Sequence, residues 1–119
     1  MSESWDVARE PEDLSRLFVE RANARDVEGL VALYERDAVL ATPDGGEVRG
    51  EAGIRRFYAT LTASPAPRFA PGAQHPALRL GELALTSTRL SGGAGATAEV
   101  ARRQPDGTWR WVLDRPNVT

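Results

Sequence analysis

Ala96-Thr-Ala-Glu-Val-Ala-Arg-Arg-Gln-Pro-Asp-Gly-Thr-Trp-Arg-Trp-Val-Leu-Asp114 is the stretch on which the fold turns. Two strand-like runs flank Pro105-Asp106-Gly107, and the second is rich in aromatic and branched residues, so the whole reads as a β-hairpin. A two-residue turn at Asp106-Gly107 sets Trp109 opposite Gln104, Trp111 opposite Arg102 and Asp114 opposite Glu99. One sheet face then carries two indoles and an arginine, and the other carries the acids. Side chains alternate along a strand, so inward tryptophans push Asp114 to the rim or outward unless a bulge re-aims it.

Upstream of the hairpin the pattern is helical first and extended later. Pro11-Glu12-Asp13 places proline at a first helical position with acids in the first turn. Leu14, Leu17, Phe18 and Ala22 recur at spacings of three and four and form the buried stripe of that helix, with Glu12, Arg16, Glu20 and Arg25 on the wet side. Asp26 caps a second helix running through Leu30, Val31, Leu33 and Tyr34 toward Asp37. Ala38–Thr42 and Glu47–Arg49 read as strands around the turn Pro43-Asp44-Gly45-Gly46. Gly50 opens a third helix with Ile54, Phe57, Tyr58 and Leu61 on its apolar face and Arg55 and Arg56 solvated. A Pro-, Ala- and Gly-rich loop over Ala63–Ala73 reads as a linker or as a lid over a cavity. Strands at Leu78–Leu80 and Leu83–Leu90 precede the hairpin. The glycines of Gly92-Gly93-Ala94-Gly95 lie between strands and do not open a helix, so they are not a nucleotide-binding pattern.

At 119 residues, with 41% hydrophobic and 27% charged, the chain can build one core without staples. Residues 1–10 are expected to be a flexible lead and 11–119 a single domain. Fifteen basic residues against 17 acidic leave a net charge of -2, which offers no field to nucleic acid or to an anionic membrane. Every basic residue is arginine, which together with the many alanines points to a GC-rich, bacterial genome and leaves no lysine for Schiff-base chemistry. No cysteine is present, and the single histidine, His75, cannot make a multi-histidine metal site alone. Chemistry must rest on Asp, Glu, Tyr, Arg, Ser or Thr, with no cofactor or metal expected. No apolar run reaches the length of a membrane span and the first ten residues lack a signal-peptide core, so a cytoplasmic location is expected.

The element order, two helices, two strands, a helix and four strands, describes an α+β domain in which three helices close one side of a curved mixed sheet. Asn23-Ala24-Arg25-Asp26-Val27-Glu28-Gly29-Leu30-Val31-Ala32-Leu33-Tyr34, Asp37-Ala38-Val39 and Gly50 with Gly53-Ile54-Arg55-Arg56-Phe57-Tyr58 resemble the first half of the nuclear transport factor 2-like superfamily, of cystatin-like fold. Asp106-Gly107-Thr108-Trp109-Arg110-Trp111 resembles its last hairpin. That superfamily includes SnoaL-like polyketide cyclases and ketosteroid isomerases, and the resemblance covers nearly all of Leu14–Asp114. It implies a cavity for a hydrophobic, polyketide-like molecule and a homodimer formed through sheet faces. The steroid isomerases use a helix-one tyrosine, an aspartate just before a proline and a late-strand acid. Aligned through Asn23 and Pro43, this chain has Phe18 and Thr42 at the first two positions, and the third falls near Val100 or Glu99, so steroid-type isomerisation is not expected. Related epoxide hydrolases need an acid two residues after an arginine, and Arg89 has none. The late acid–base aspartate of the cyclases has one match here, Asp114.

Each candidate residue carries a functional and a structural reading. Asp114 is either a proton shuttle with a pKa raised by partial burial or a strand-end carboxylate paired with Arg115. Glu99, across the strand pair, either raises that pKa by repulsion or sits in water. Trp109 and Trp111 line a pocket or pack a core or dimer interface. Arg102 makes a cation–π contact with Trp111 or holds an anionic group of a ligand. Tyr34 and Tyr58 fill the core or turn their hydroxyls to the cavity. His75, before Pro76, is a general base or an edge-strand surface residue. The functional expectation is an isomerase, cyclase or dehydratase using Asp114, with Arg102, Trp109, Trp111, Tyr34 and Tyr58 around the ligand. The alternative is a noncatalytic binding or accessory protein of the same fold.

Overall fold

Pro11 and Glu12 form a turn ahead of the first helix, α1 (Asp13–Asn23), not its first turn as expected. Asp13 holds that turn, its carboxylate accepting the backbone N–H groups of Arg9 and Glu10 at 3.0 Å each. This computed structural model describes residues 6–64 and 68–118. Leu14, Leu17 and Ala22 are buried, as their spacing requires, whereas Phe18 is only half-buried. The described part of the expected flexible lead is packed: Ala8 lies in the core, and its carbonyl accepts the Trp109 N–H at 2.8 Å. Residues 1–5 lie outside the described residues.

Arg25, in the left-handed region at φ 57, reverses the chain after α1. Asp26 then caps α2 (Val27–Val31) by accepting the Gly29 N–H at 2.9 Å. α2 stops after five residues, short of the expected Tyr34. The Leu33 carbonyl accepts the Trp111 N–H at 2.8 Å and Tyr34 pairs with Trp111, so sheet pairing takes over a segment whose apolar spacing also suits a helix. β1 (Tyr34–Ala41) therefore begins four residues before the expected Ala38. β2 (Glu47–Arg49) and α3 (Gly50–Ala63) follow where the sequence puts them. Ile54 and Tyr58 are buried on α3, and Arg55, expected to be solvated, forks onto Glu28 of α2 at 2.8 and 3.0 Å.

The second half has more strands than the four expected. β3 (Ala73–Gln74) pairs with β6 (Thr88–Arg89), and β4 (Leu78–Leu80) pairs with β5 (Leu83–Thr86). The expected single strand Leu83–Leu90 breaks at Ser87, because Thr86 stays with the main sheet while Thr88 and Arg89 leave it for β3. β7 (Ala98–Arg103) and β8 (Trp109–Arg115) complete a curved, unclosed sheet ordered β2-β1-β8-β7-β5-β4, in which β1 and β8 are parallel and the other pairs antiparallel. No helix among the described residues is long and apolar enough to cross a membrane.

The β7–β8 hairpin decides what faces inward. Its turn contains three residues, not two: Gln104 N–H donates to Thr108 O at 2.7 Å and Gly107 N–H to Gln104 O at 2.9 Å. Pro105 presets the first turn position, and Gly107 takes φ 86, a left-handed conformation that closes such a turn. The pairing near the turn thus slips by one from the expected register, with Trp109 opposite Arg103, Arg102 opposite Arg110 and Trp111 opposite Ala101. Between Trp111 and Leu113 the register shifts, Val112 being the extra residue, and beyond it Glu99 and Asp114 stand opposite each other as expected. This bulge puts Trp111 and Asp114 on the same inner face although they are three residues apart.

Two inner rows result. Ala84, Ala101, Trp111 and Tyr34 form one across β5, β7, β8 and β1, and Thr86, Glu99, Asp114 and Leu40 form the next. On the outer face Leu78, Leu85, Val100, Leu113 and Val39 make an apolar row across five strands. Leu78 is 69% exposed and Leu113 is 49% exposed, so this row is uncovered in the single chain.

Candidate active site

The inner rows meet α1 and α3 around a cavity of about 330 Å³. Phe18, Tyr58, Phe69 and Trp111 supply aromatic walls; Glu99 and Asp114 are its two acids; Ser15, Thr88 and Thr97 add hydroxyls. Phe18 is the hub of the aromatic wall, its ring 5.3 Å from Phe69 edge-on, 6.2 Å from Tyr58 and 6.3 Å from Trp111. Its partial exposure follows from this position, since one side of the ring borders open space. The Pro-rich loop forms part of the rim through Phe69, Ala70 and Gly72. Asn23 ties it to α1, donating to Phe69 O at 3.0 Å and accepting Phe69 N–H at 2.7 Å. Pro65–Pro67, within the loop, lie outside the described residues.

Asp114 ends a chain of hydroxyls. Tyr34 Oη donates to Asp114 Oδ2 at 2.5 Å, and the Tyr58 hydroxyl lies 2.6 Å from that of Tyr34. With the Tyr34 proton directed to the carboxylate, Tyr58 is the donor to Tyr34. Desolvation lifts the Asp114 pKa to about 7; the Tyr34 hydrogen bond opposes the rise and the neighbouring charge of Glu99 adds to it. Burial also raises Glu99, against the hydroxyls of Thr97 and Thr86, the latter donating at 2.7 Å. Both tyrosines are pushed up, first by burial and then by the Asp114 charge, so they stay protonated as donors. A carboxyl group poised near neutrality, fixed by a hydrogen-bonded chain and lining an apolar cavity, can take a proton from a ligand carbon or oxygen and return it.

The structure brings together Asp114, Tyr34, Tyr58 and Trp111 from the residues singled out in the sequence, with Glu99 beside them. It separates Trp109 and Arg102. Trp109 points to the inside at the other end of the strand, beneath the Arg79 guanidinium at 5.5 Å, and borders a different hollow with Ala8 and Leu17. The expectation that Arg102 joins the indoles is corrected by the three-residue turn, which turns it to the outer face. There it is exposed and bonds Glu35 at 2.9 Å. His75 is exposed, its backbone N–H held by Ser87 O at 3.0 Å. Asp114 faces Tyr34, and Arg115, its expected structural partner, is exposed. The Trp111 indole Nε1 is buried with no hydrogen-bond partner among the described residues. Phe69 was missed in the sequence, although it is the one large apolar residue between Leu61 and Leu78 and such an isolated aromatic in a Pro-rich loop signals docking. Among the described residues no three Asp, Glu or His side chains converge to hold a metal.

The same architecture occurs in solved structures. The chain is similar to a candidate dehydratase of the NTF2-like family from Streptomyces avermitilis, at 17% identity over 91% of this chain and 94% of that one, with a TM-score of 0.73. It is similar to a ketosteroid isomerase-like protein from Erwinia carotovora atroseptica, at 15% identity over 87% and 89% of the two chains, TM-score 0.71. An NTF2-like protein with a cystatin-like fold from Novosphingobium aromaticivorans shares 21% identity over 87% of this chain and 75% of its own, TM-score 0.62. These likenesses establish the nuclear transport factor 2-like fold. A sequence profile reaches further, matching residues 15–115 from the cavity rim on α1 past Asp114, and by that match the chain belongs to the SnoaL-like domain family.

Proposed function

We propose that the cavity binds a small, largely apolar molecule and that Asp114 moves a proton on it, as an isomerase, cyclase or dehydratase does. The observation that carries this reading is the placement of a buried carboxyl group, with a pKa near 7, at the end of the Tyr58–Tyr34 hydroxyl chain and in the cavity wall. Asp114 is the acid–base group, Tyr34 and Tyr58 hold it, and Trp111, Phe18 and Phe69 enclose the ligand. The names of two structural neighbours, a ketosteroid isomerase-like protein and a candidate dehydratase, are in keeping with proton-transfer chemistry. The test is turnover of polycyclic ketones and β-hydroxy ketones by wild type and Asp114→Asn. Product from the wild type that falls at least 100-fold in the variant is expected; equal turnover in both refutes the assignment.

A second reading, a noncatalytic binding protein, draws on Phe18 and Thr42. Phe18 brings a bare ring to the cavity, and the Thr42 hydroxyl is spent on Asp44 in the β1–β2 turn at 2.5 Å. It predicts ligand binding without conversion in both proteins. In either reading the chain is a homodimer through the outer sheet face, where the row from Leu78 to Val39 is otherwise left in water. Sedimentation of wild type as a dimer and of Leu113→Glu as a monomer is expected; a monomeric wild type refutes this assembly.

A further inference from the structure

The cavity contains two carboxyl groups and, among the described residues, no basic side chain in its wall. Glu99 and Asp114 are directly opposite on adjacent strands, and each is only 7% exposed. Asp114 uses Oδ2 for Tyr34, while its other oxygen has no hydrogen-bond partner among the described residues. The groups that face the two acids are Tyr34 from β1, Tyr58 from α3, and the threonines of β5 and the β7 approach, all of them neutral. The aromatic faces of Phe18, Phe69 and Trp111 complete the enclosure. Buried paired carboxyl groups either keep their protons or take a cation, because uncompensated negative charge in a dry site is costly. Aromatic walls with carboxylates are the surroundings in which an ammonium ion is held.

We propose that the ligand is a hydrophobic amine, its protonated nitrogen seated between the aromatic wall and the carboxyl group of Glu99. The proposal rests on the reading of the cavity as a ligand site and deepens it. Asp114, held by Tyr34, is the proton-transfer group of the reading above, and Glu99, directly opposite it on β7, is the second acid available as an anchor. Burial raises the Glu99 pKa and the threonine hydroxyls only partly oppose it, so a cation seated beside Glu99 supplies the compensation that its ionised form lacks among the described residues. The ammonium completes the charge balance that the protein side of the cavity lacks. Ligands with a carboxylate or phosphate on the buried end are rejected by the same two acids.

The test is calorimetric binding of an isosteric pair, 2-(1-naphthyl)ethylamine and 2-(1-naphthyl)ethanol, to wild type and Glu99→Gln. The amine is expected to bind wild type about 10-fold or more tightly than the alcohol, and Glu99→Gln is expected to remove most of that preference while leaving the alcohol bound. Equal affinities in wild type, or a preference that survives Glu99→Gln, overturn the proposal and leave the proton-transfer reading standing on Asp114→Asn. Failure of both probes to bind overturns the cavity as a ligand site and this proposal with it. Should Glu99→Gln not fold, the wild type alone decides: the amine affinity rises as pH is raised through about 7, where Asp114 ionises and adds its charge beside Glu99, while that of the alcohol does not. A flat amine profile overturns the proposal.

Discussion

Replacing Asp114 by Asn tests the electrostatics of the site without any knowledge of the ligand. The Asp114 carboxyl moves from its ordinary 3.8 in the unfolded chain to about 7 in the fold. Its folded pKa is raised, so the folded state holds the proton more tightly. The resulting stability is fully present below the unfolded pKa and is lost as pH rises through the folded one. The whole effect is worth about 4 kcal/mol, of which about 2 to 3 kcal/mol falls between pH 5 and pH 8. Asparagine does not titrate, so Asp114→Asn should lose that much less stability than wild type over this interval. It should also be the more stable protein at pH 8 unless the weakened bond from Tyr34 offsets the gain. Urea unfolding followed by tryptophan emission reads the difference directly, since Trp111 adjoins Asp114 in the buried wall. Glu99 is coupled to Asp114 through its charge, so the same comparison made in a Glu99→Gln background separates its share. Identical pH dependence in wild type and variant refutes the raised pKa and, with it, the physical basis for acid–base work at neutral pH.

Other perturbations probe the parts that place this carboxyl group. Tyr34→Phe removes the one hydrogen bond that lowers the Asp114 pKa, so its titration, followed by carboxyl ¹³C resonance, should move up by about one pH unit or more; a downward move contradicts the arrangement. Deleting Val112 removes the bulge but leaves Trp111, Leu113 and Asp114 in regular alternation, so Asp114 stays opposite Glu99 and facing Tyr34 and should still titrate near 7; a return to the ordinary carboxylate range contradicts the assignment of Val112 as the extra residue. Asp26→Ala removes the cap of α2 and should cost about 1 kcal/mol in urea unfolding. Because neither Asp26 nor any residue of α2 is in the cavity wall, binding of the neutral naphthyl alcohol should be unchanged, and a loss of both would place α2 in the site.

Local signals sufficed wherever one interaction dominated a segment. Asp26 is a polar residue before an apolar run and caps α2 through its own side chain, and Gly50 opens α3 at the expected position. Segments with two possible partners were misread. Leu33 and Tyr34 continue the helical spacing of Leu30 and Val31, but Trp111, 77 residues away in the chain for Tyr34, claims them for the sheet. Local propensity differences are smaller than the gain from such pairing and burial. Ser87 divides an apparently continuous strand because its neighbours have different partners on either side, β7 for Thr86 and β3 for Thr88.

The site itself depends on the parity of a single strand. The three-residue turn at Pro105–Gly107 sends Arg102 outward, and the extra residue at Val112 then brings Asp114 inward. The two irregularities offset each other beyond Val112, which explains why Glu99 and Asp114 pair as the simplest hairpin predicts while the residues nearer the turn do not. Without the first, a guanidinium would enter the wall beside Trp111 and lower the pKa of a nearby carboxyl group; were Val112 instead paired in a regular strand, Asp114 would turn to the outer face and no carboxyl group on β8 would reach Tyr34. The bulge is held by the inward burial of Trp111 and Asp114, with Leu113 exposed on the outer face, and has no residue signature of its own at Val112. The residue types therefore announced the chemistry available, two acids, two tyrosines and an indole, while a backbone irregularity one residue long determined that they share a face.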